Sequence, residues 1–557
     1  MGSRSIARVL CLFGLVLLAP ALARGQQEEL AASSVPAGTV AYASVDLAQV
    51  LQFWAQARES ALVKAIAALG RKGEAPAGEV APVELLMALS DQVLAGPASV
   101  ALADEKVAPG KAPSVMVALP VKDRDQMKGM LGLLEAQLKA RQREITTREY
   151  EGATITTVTV PDPKVGRPSY TLLEDRLLVA STPEWLEKAL DATAGRTPRL
   201  SAEARFTRVR DRIAAKPPCA AWFWLDPQRL QARTLEGAQE AAAASPPVDL
   251  GALRPLMEAY EAAGGRLELT TQGIGLDGFY LVNPQNEYGR QILALQGAPL
   301  RSLQLASGNA LFYVGFNNIP ALTQMTQGIL AAMGGNVQEM LGGIAHSLQT
   351  ATGLDLKADL LDYIGGEAAL VVNELPANIV ENPAALPALF YLQAKSTPGL
   401  GKTMQKLRVH LAEAMGMKFI AKEIPQGRIY HLDADSLPIP VMAGWTFAND
   451  FLVIGTSPAA MKSPLFLAKG TGTSLAARPA LQRALGAVGN RAIWAFYLAP
   501  SRLQSLAALA VPKKQGAPAV DPARLQEVLK GIEALTAVAT VEPDALSFRV
   551  DLTANLK

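Results

Sequence analysis

The chain runs through one pattern twice, and that repetition limits its fold more than anything else in it. Gly152 to Phe206 lies over Gly427 to Leu481 without a gap. In that register Thr171 meets Thr446, Asp175 meets Asp450, Leu177 meets Leu452, Pro183 meets Pro458, Gly195 meets Gly470 and Leu200 meets Leu475. The match continues outward with small shifts. Gly38 faces Gly308, Gly96 faces Gly366, and Pro227-Gln-Arg-Leu-Gln231 faces Pro500-Ser-Arg-Leu-Gln504. Solenoid and propeller units repeat every ~20–50 residues, far less than this. The pattern therefore predicts an internal duplication: two tandem homologous domains, 34–284 and 306–557, joined by a connecting segment at 285–305. It also supplies a filter, because a site intrinsic to the fold should show in both copies.

The first residues have the make-up of a secretory signal. Arg4 and Arg8 give a basic start, Val9 to Leu18 is apolar, and Ala21-Leu22-Ala23 is a small-x-small cleavage site. The apolar stretch is shorter than a transmembrane span, and Cys11 lies inside it, so no lipid anchor is expected. The expectation is a signal at 1–23, cut after Ala23 or Gly25, a tail at 24–33, and an exported mature chain without a transmembrane anchor. The periplasm is the expected compartment, with an extracellular location as the other possibility.

Lys and Arg number 53 against 51 for Asp and Glu. Loss of Arg4 and Arg8 with the signal balances them, which leaves no electrostatic footprint for nucleic acid or an anionic membrane. Of the 2 cysteines, Cys11 goes with the signal and only Cys219 remains. An intrachain disulfide is then impossible, although the expected compartment is oxidising. Stability has to come from the core, and at 50% hydrophobic residues two domains of about 250 residues can supply one.

The same element order is expected in each copy. Val40 to Val45 is a β-rich run leading to Asp46 and a helix with Leu47, Val50, Leu51 and Trp54 on one side. Leu311 to Phe316, Asn317-Asn318 and Ile319-Pro320 repeat it, with Asp46 and Asn318 as expected N-caps. Ala98 to Leu102 and Val115 to Val121 match Ala368 to Val372 and Leu389 to Ala394. Helices follow over Arg124 to Lys139 and Leu400 to Ala414. Hairpins are signalled at Glu174-Asp175 and Asn449-Asp450. Thr182-Pro183 and Ser457-Pro458 then open capped helices. Aromatic strands (Trp222 to Leu225, Trp494 to Leu498) precede two closing strands per copy, expected at Leu267 to Thr271 with Gly278 to Val282, and at Ala537 to Val541 with Leu546 to Leu552. Hairpins interrupted by helices predict an α+β fold: in each domain a largely antiparallel sheet with helices packed mainly on one face.

Chemistry is sparse. His431-Leu-Asp-Ala-Asp435 is the best metal-like pattern, since alternation puts His431, Asp433 and Asp435 on one strand face. Its partners in the first copy are Thr156, Val158 and Val160, so a solvated strand face is the commoner outcome. Ser396-Thr-Pro-Gly-Leu-Gly-Lys-Thr403 has the spacing of a phosphate-binding loop, but serine stands where the first glycine belongs. Asp123 to Met130, its counterpart, has nothing to cradle a phosphate. Cys219 lacks a nearby base, as His346, His410 and His431 all lie in the other copy. No catalytic or cofactor-binding residue is assigned and no cofactor is expected.

Pro36-Ala-Gly-Thr-Val-Ala-Tyr-x-x-Val-Asp46, the hairpin Asp175-x-Leu-Leu-Val-Ala-Ser-Thr-Pro183 and the strand end Leu225-Asp-Pro227 carry a family resemblance. The chain resembles a family of exported bacterial proteins known as a domain of unknown function, and the likeness covers nearly the whole mature chain. It implies the compartment and the duplicated α+β architecture, and it brings neither an activity nor site residues. The expected function is a non-enzymatic binding or scaffold module of the cell envelope, with an envelope protein or an apolar small molecule as partner. The alternative is a metal-dependent hydrolase using the second copy, with His431, Asp433 and Asp435 as ligands.

Overall fold

The structure is a computed structural model, and it describes residues 32–64, 96–104, 114–160, 167–230, 232, 254–332, 337–373, 375, 386–433, 442–503 and 522–556. In the first half the strands are β1 (Thr39–Val45), β2 (Ala98–Ala103), β3 (Val115–Pro120), β4 (Ile145–Tyr150), β5 (Ala153–Val158), β6 (Ser169–Leu172), β7 (Arg176–Ala180), β8 (Ala221–Leu225), β9 (Tyr260–Thr270) and β10 (Gly273–Val282). In the second they are β11 (Phe312–Phe316), β12 (Ile364–Val372), β13 (Ala388–Ala394), β14 (Phe419–Ile424), β15 (Gly427–Leu432), β16 (Gly444–Ala448), β17 (Phe451–Gly455), β18 (Trp494–Leu498), β19 (Ile532–Glu542) and β20 (Ala545–Ala554). With 39% helix and 35% strand, the fold is α+β as expected.

All strands belong to one 20-stranded sheet, and every pairing is antiparallel. The order across it is β4-β5-β6-β7-β3-β2-β1-β8-β9-β10, then β20-β19-β18-β11-β12-β13-β17-β16-β15-β14. The second series is the first run backwards, strand for strand. Open twisted sheets seldom exceed ~10 strands, and here two series of that width meet edge to edge at β10 and β20. The outer edges, β4 and β14, carry exposed Thr146, Thr147, Arg148 and Glu149, and Lys422 and Glu423. Charged side chains on an edge discourage further strand addition.

The helices used below are α1 (Leu47–Ala57), α2 (Arg124–Ala140), α3 (Pro183–Thr193), α4 (Ala204–Ala214), α5 (Glu287–Leu293), α6 (Ile319–Ala332), α7 (Val337–Thr352), α8 (Thr397–Met415), α9 (Pro458–Ala468), α10 (Pro479–Ala487) and α11 (Pro522–Gly531). The expected caps hold at α1, α3 and α9. Asp46 accepts the Gln49 N–H, the Thr182 hydroxyl accepts that of Trp185, and the Ser457 hydroxyl that of Ala460, the last two with proline in the first turn. Asn318 departs from the expectation. It takes φ 60°, outside the extended region of an N-cap, while Asn317 bonds the carbonyls of Ala298 and Ala492.

Helices pack on both faces of the sheet, where they were expected mainly on one. On the first, α3 and α4 bury Trp185, Leu186, Phe206 and Val209 against Tyr42, Met116, Leu178, Trp222 and Trp224. In the second half α9 and α10 bury Met461, Leu465 and Leu481 against Tyr313, Val371, Tyr391 and Val453. On the opposite face α2 sets Met127 on Leu119 and Leu177, and α8 sets Leu400 and Met404 on Leu392, Trp445 and Leu452. Successive residues point to opposite faces, so the unbroken runs Leu177-Leu178-Val179 and Phe451-Leu452-Val453 are sequence signs of burial on both sides.

Two of the sequence matches shift by one residue. Ala37 donates to the Pro198 carbonyl and Gly308 to that of Thr473, so Gly308 stands in the place of Ala37, not of Gly38. In β5, Thr156 lies opposite Tyr170, as Tyr430 lies opposite Trp445. The counterpart of Thr156 is thus Tyr430, and fully buried Ile155 matches fully buried Ile429. Beyond it, Thr171 and Thr446 correspond as expected, opposite Leu178 and Val453. The loop between β15 and β16 is one residue longer than that between β5 and β6, and it absorbs the slip.

Candidate functional site

His431 lies on β15, on the same face as Ile429, and is only 9% exposed. The solvated strand face expected for it is not what forms. Its Nδ1 is 3.0 Å from the Leu432 carbonyl oxygen, an acceptor, so Nδ1 carries the proton of that bond. Across the ladder stands Gly444. A Cβ there would lie 2.9 Å from the His431 Cβ and 2.1 Å from the Tyr430 carbonyl oxygen, so only glycine lets the strands close beside the ring. In the first half this place belongs to Thr157, whose hydroxyl sits 2.9 Å from the Ser169 hydroxyl, and Ser169 holds the position of Gly444. Asp433 follows directly after β15, and Asp435 lies outside the described residues. Among the described residues no group of three or more His, Cys, Asp and Glu side chains is placed to hold a metal ion.

The other sequence candidates resolve into structural roles. The Ser396 hydroxyl accepts the Gly399 N–H as the N-cap of α8, and a Cβ on Gly399 would strike the Tyr363 ring at 2.4 Å. The segment that resembles a phosphate loop is thus a capped helix start pressed against an aromatic ring. Cys219 packs beside the first-half core. His346 is exposed on α7, and the His410 ring on α8 lies over Gly353.

Among the described residues a dense, largely buried charge cluster forms where the sequence has no motif. It lies at the seam, where β10 meets β20. Arg549 Nη1 is 2.8 Å from Glu268 and 3.0 Å from Asp277, and its Nη2 is 2.6 Å from Asp551. Arg266 is 2.5 Å from Glu268, and Lys216 reaches within 3.7 Å of Asp277. Gly275 makes room for the guanidinium, since a Cβ there would lie 2.1 Å from Arg549 Nη2. Burial works against the charge of Arg549, yet Asp551, Asp277 and Glu268 hold its proton more firmly than usual. The cations Lys216, Arg266 and Arg549 balance the carboxylates Glu268, Asp277 and Asp551. Such a neutral, mutually bonded set fixes a join and leaves no charge over for a substrate.

The second-half sheet also exposes apolar side chains on the face occupied by α8. Leu370 on β12 lies opposite Phe390 on β13, which lies opposite Ile454 on β17. They are 38%, 41% and 36% exposed. In the first half the same three places are held by Val100, Val117 and Val179, which are smaller. No helix among the described residues is long and apolar enough to cross a membrane.

Among known proteins, the model of a family described as a protein of unknown function, DUF3352, matches residues 95–430, well over half of the chain. No curated protein and no solved structure matches.

Proposed function

Because the chain belongs to the DUF3352 family of proteins of unknown function, membership assigns no reaction, and we propose that it is an exported, non-enzymatic binding or scaffold module built by duplication of one α+β unit. The duplication is supported by the mirrored strand order, the matching ladder registers and the paired caps at Thr182 and Ser457. Export to the periplasm rests on the basic start, the apolar Val9 to Leu18 stretch and the Ala21-Leu22-Ala23 site.

The observation that carries the binding reading is the row Leu370, Phe390 and Ile454. Three large apolar side chains, each opposite the next on adjacent strands and each more than a third exposed, form a contiguous patch rather than scattered surface residues. Such a patch suits an envelope protein or an apolar small molecule as partner. The test is affinity purification of the full chain from its native envelope, with mass spectrometry of co-purified proteins and small molecules, for wild type and Phe390→Ser. A species retained by wild type and lost with Phe390→Ser supports the reading. Turnover of a substrate in a broad panel, abolished by His431→Ala, overturns it in favour of a hydrolase.

A further inference from the structure

The two halves are built alike, so a place where they differ in charge singles itself out. Arg208 on α4 and Arg483 on α10 hold corresponding positions, and each reaches across the seam to the turn of the other half's last hairpin. Arg208 bonds Asp544 at 3.4 Å and Glu261 at 2.6 Å, so two carboxylates neutralise it. Arg483 bonds the Gln272 side-chain oxygen and the Thr553 hydroxyl, each at 3.0 Å, and both are neutral. Gln272 takes the place of Asp544 in the turn. Among the described residues neither Arg483 nor Lys530, at the end of α11, has a carboxylate within ion-pair distance.

Both cations line an open cleft of about 550 Å³ with Gln272, Thr553, Asn555 and Glu533. Glu533 opposes one of them, which leaves a net positive site walled by neutral hydrogen-bonding groups. The turn residue Thr271 also borders a second, mainly apolar cavity of about 260 Å³, walled by Phe53, Ala57 and Leu556 together with Gln56 and Thr270. Leu556 follows directly on Asn555 of the first cleft. An exposed guanidinium and ammonium beside an apolar pocket match one ligand chemistry: an anionic head joined to an apolar chain.

We propose that the seam cleft binds an anionic amphiphile, its phosphate or carboxylate head held by Arg483 and Lys530 and its apolar chain passing Thr271 toward Phe53, Ala57 and Leu556. This goes beyond the sheet-face reading and uses none of its residues. The test is calorimetric titration of the full chain with dodecyl phosphate below its micelle concentration, alongside dodecanol and inorganic phosphate. Arg483 and Thr271 are exposed, so Arg483→Gln, Lys530→Gln and Thr271→Trp should fold, which a thermal melt verifies. The expected result is saturable binding of dodecyl phosphate, weakened about tenfold or more by either charge substitution and by Thr271→Trp, with weaker binding of the other two probes. Phe390→Ser should bind as wild type does, which separates this site from the sheet-face patch. Absence of saturable binding, or binding indifferent to Arg483→Gln and Lys530→Gln, overturns the proposal. Inorganic phosphate binding as tightly as dodecyl phosphate overturns the chain assignment and marks a site for a free anion.

Discussion

Asp277 on β10 stands directly opposite Arg549 on β20, and the two form an ion pair at 3.0 Å. They are also each other's counterparts. Thr270 faces Gly273 in one closing hairpin as Glu542 faces Ala545 in the other, so four residues on from each turn come Asp277 and Arg549. On either side of them the register is self-matching: Gly273 pairs with Thr553 and Leu281 with Ala545. The local two-fold of the seam passes between this one pair.

Arg549→Met should destabilise the protein by about 3–5 kcal/mol, because it removes the cation nearest to buried Asp277 and Asp551 and leaves half-buried Glu268 to Arg266 alone. Adding Asp277→Leu should recover part of the loss. Chemical denaturation of the three proteins reads this out. A single variant as stable as wild type would mean that the network contributes nothing to the join.

Gly273 takes φ 141°, and a Cβ there would lie 1.9 Å from the Leu552 carbonyl oxygen of the other half. Gly273→Ala is therefore expected to cost about 2–3 kcal/mol. At the corresponding position, Ala545→Gly should cost only about 0.5–1 kcal/mol. Equal melting temperatures for the two variants would contradict the close approach at the seam.

Fully buried Glu367 accepts the N–H groups of Arg301 and Ser302 at 2.9 and 2.7 Å. Burial raises its pKa above the ordinary 4.5 despite those bonds. A raised folded-state value means stability that is fully present below the unfolded pKa and lost as pH rises through the folded one. The stability difference between wild type and Glu367→Ala should thus widen on acidification from about pH 7 to about pH 5. A difference that narrows over this range would show that the two N–H bonds outweigh burial.

Under the binding reading, His431→Ala should leave the metal content of the purified protein unchanged while costing about 1–3 kcal/mol for the emptied space. Gly444→Ala should destabilise as well, because its Cβ would strike the Tyr430 carbonyl oxygen and the His431 Cα on the facing strand. Elemental analysis with a thermal melt checks both. A metal ion bound stoichiometrically by wild type and lost with His431→Ala would favour the hydrolase.

Much of this architecture is readable in the chain, because the capped starts at Pro183 and Pro458 and the hairpins at Asp175 and Asp450 are local signals. What was not readable depends on contacts between distant segments. Ala262 to Gly265 does not look like strand, yet it lies within β9 because Val209 and Phe279 fill the space over Gly264 and Phe223 that over Gly265. The burial of His431 depends on the missing side chain of Gly444 on the next strand. The cleft gathers Gln272, Arg483 and Lys530 from three separate stretches that match no motif. One signal was present all the same: set against its counterpart, Arg208 meets Asp544 where Arg483 meets Gln272.

The self-matching register of β10 and β20 also bears on how such a chain can arise. Under the proposed duplication, a single ancestral unit would end in an open strand able to pair with the same strand of an identical molecule, about the axis now running between Asp277 and Arg549. Joining two copies through 285–305 turns that encounter into an intramolecular one, with an effective concentration on the order of millimolar for a short linker. Once tethered, the copies are free to diverge. Aspartate facing arginine at the axis is a pairing that two identical chains cannot make with each other.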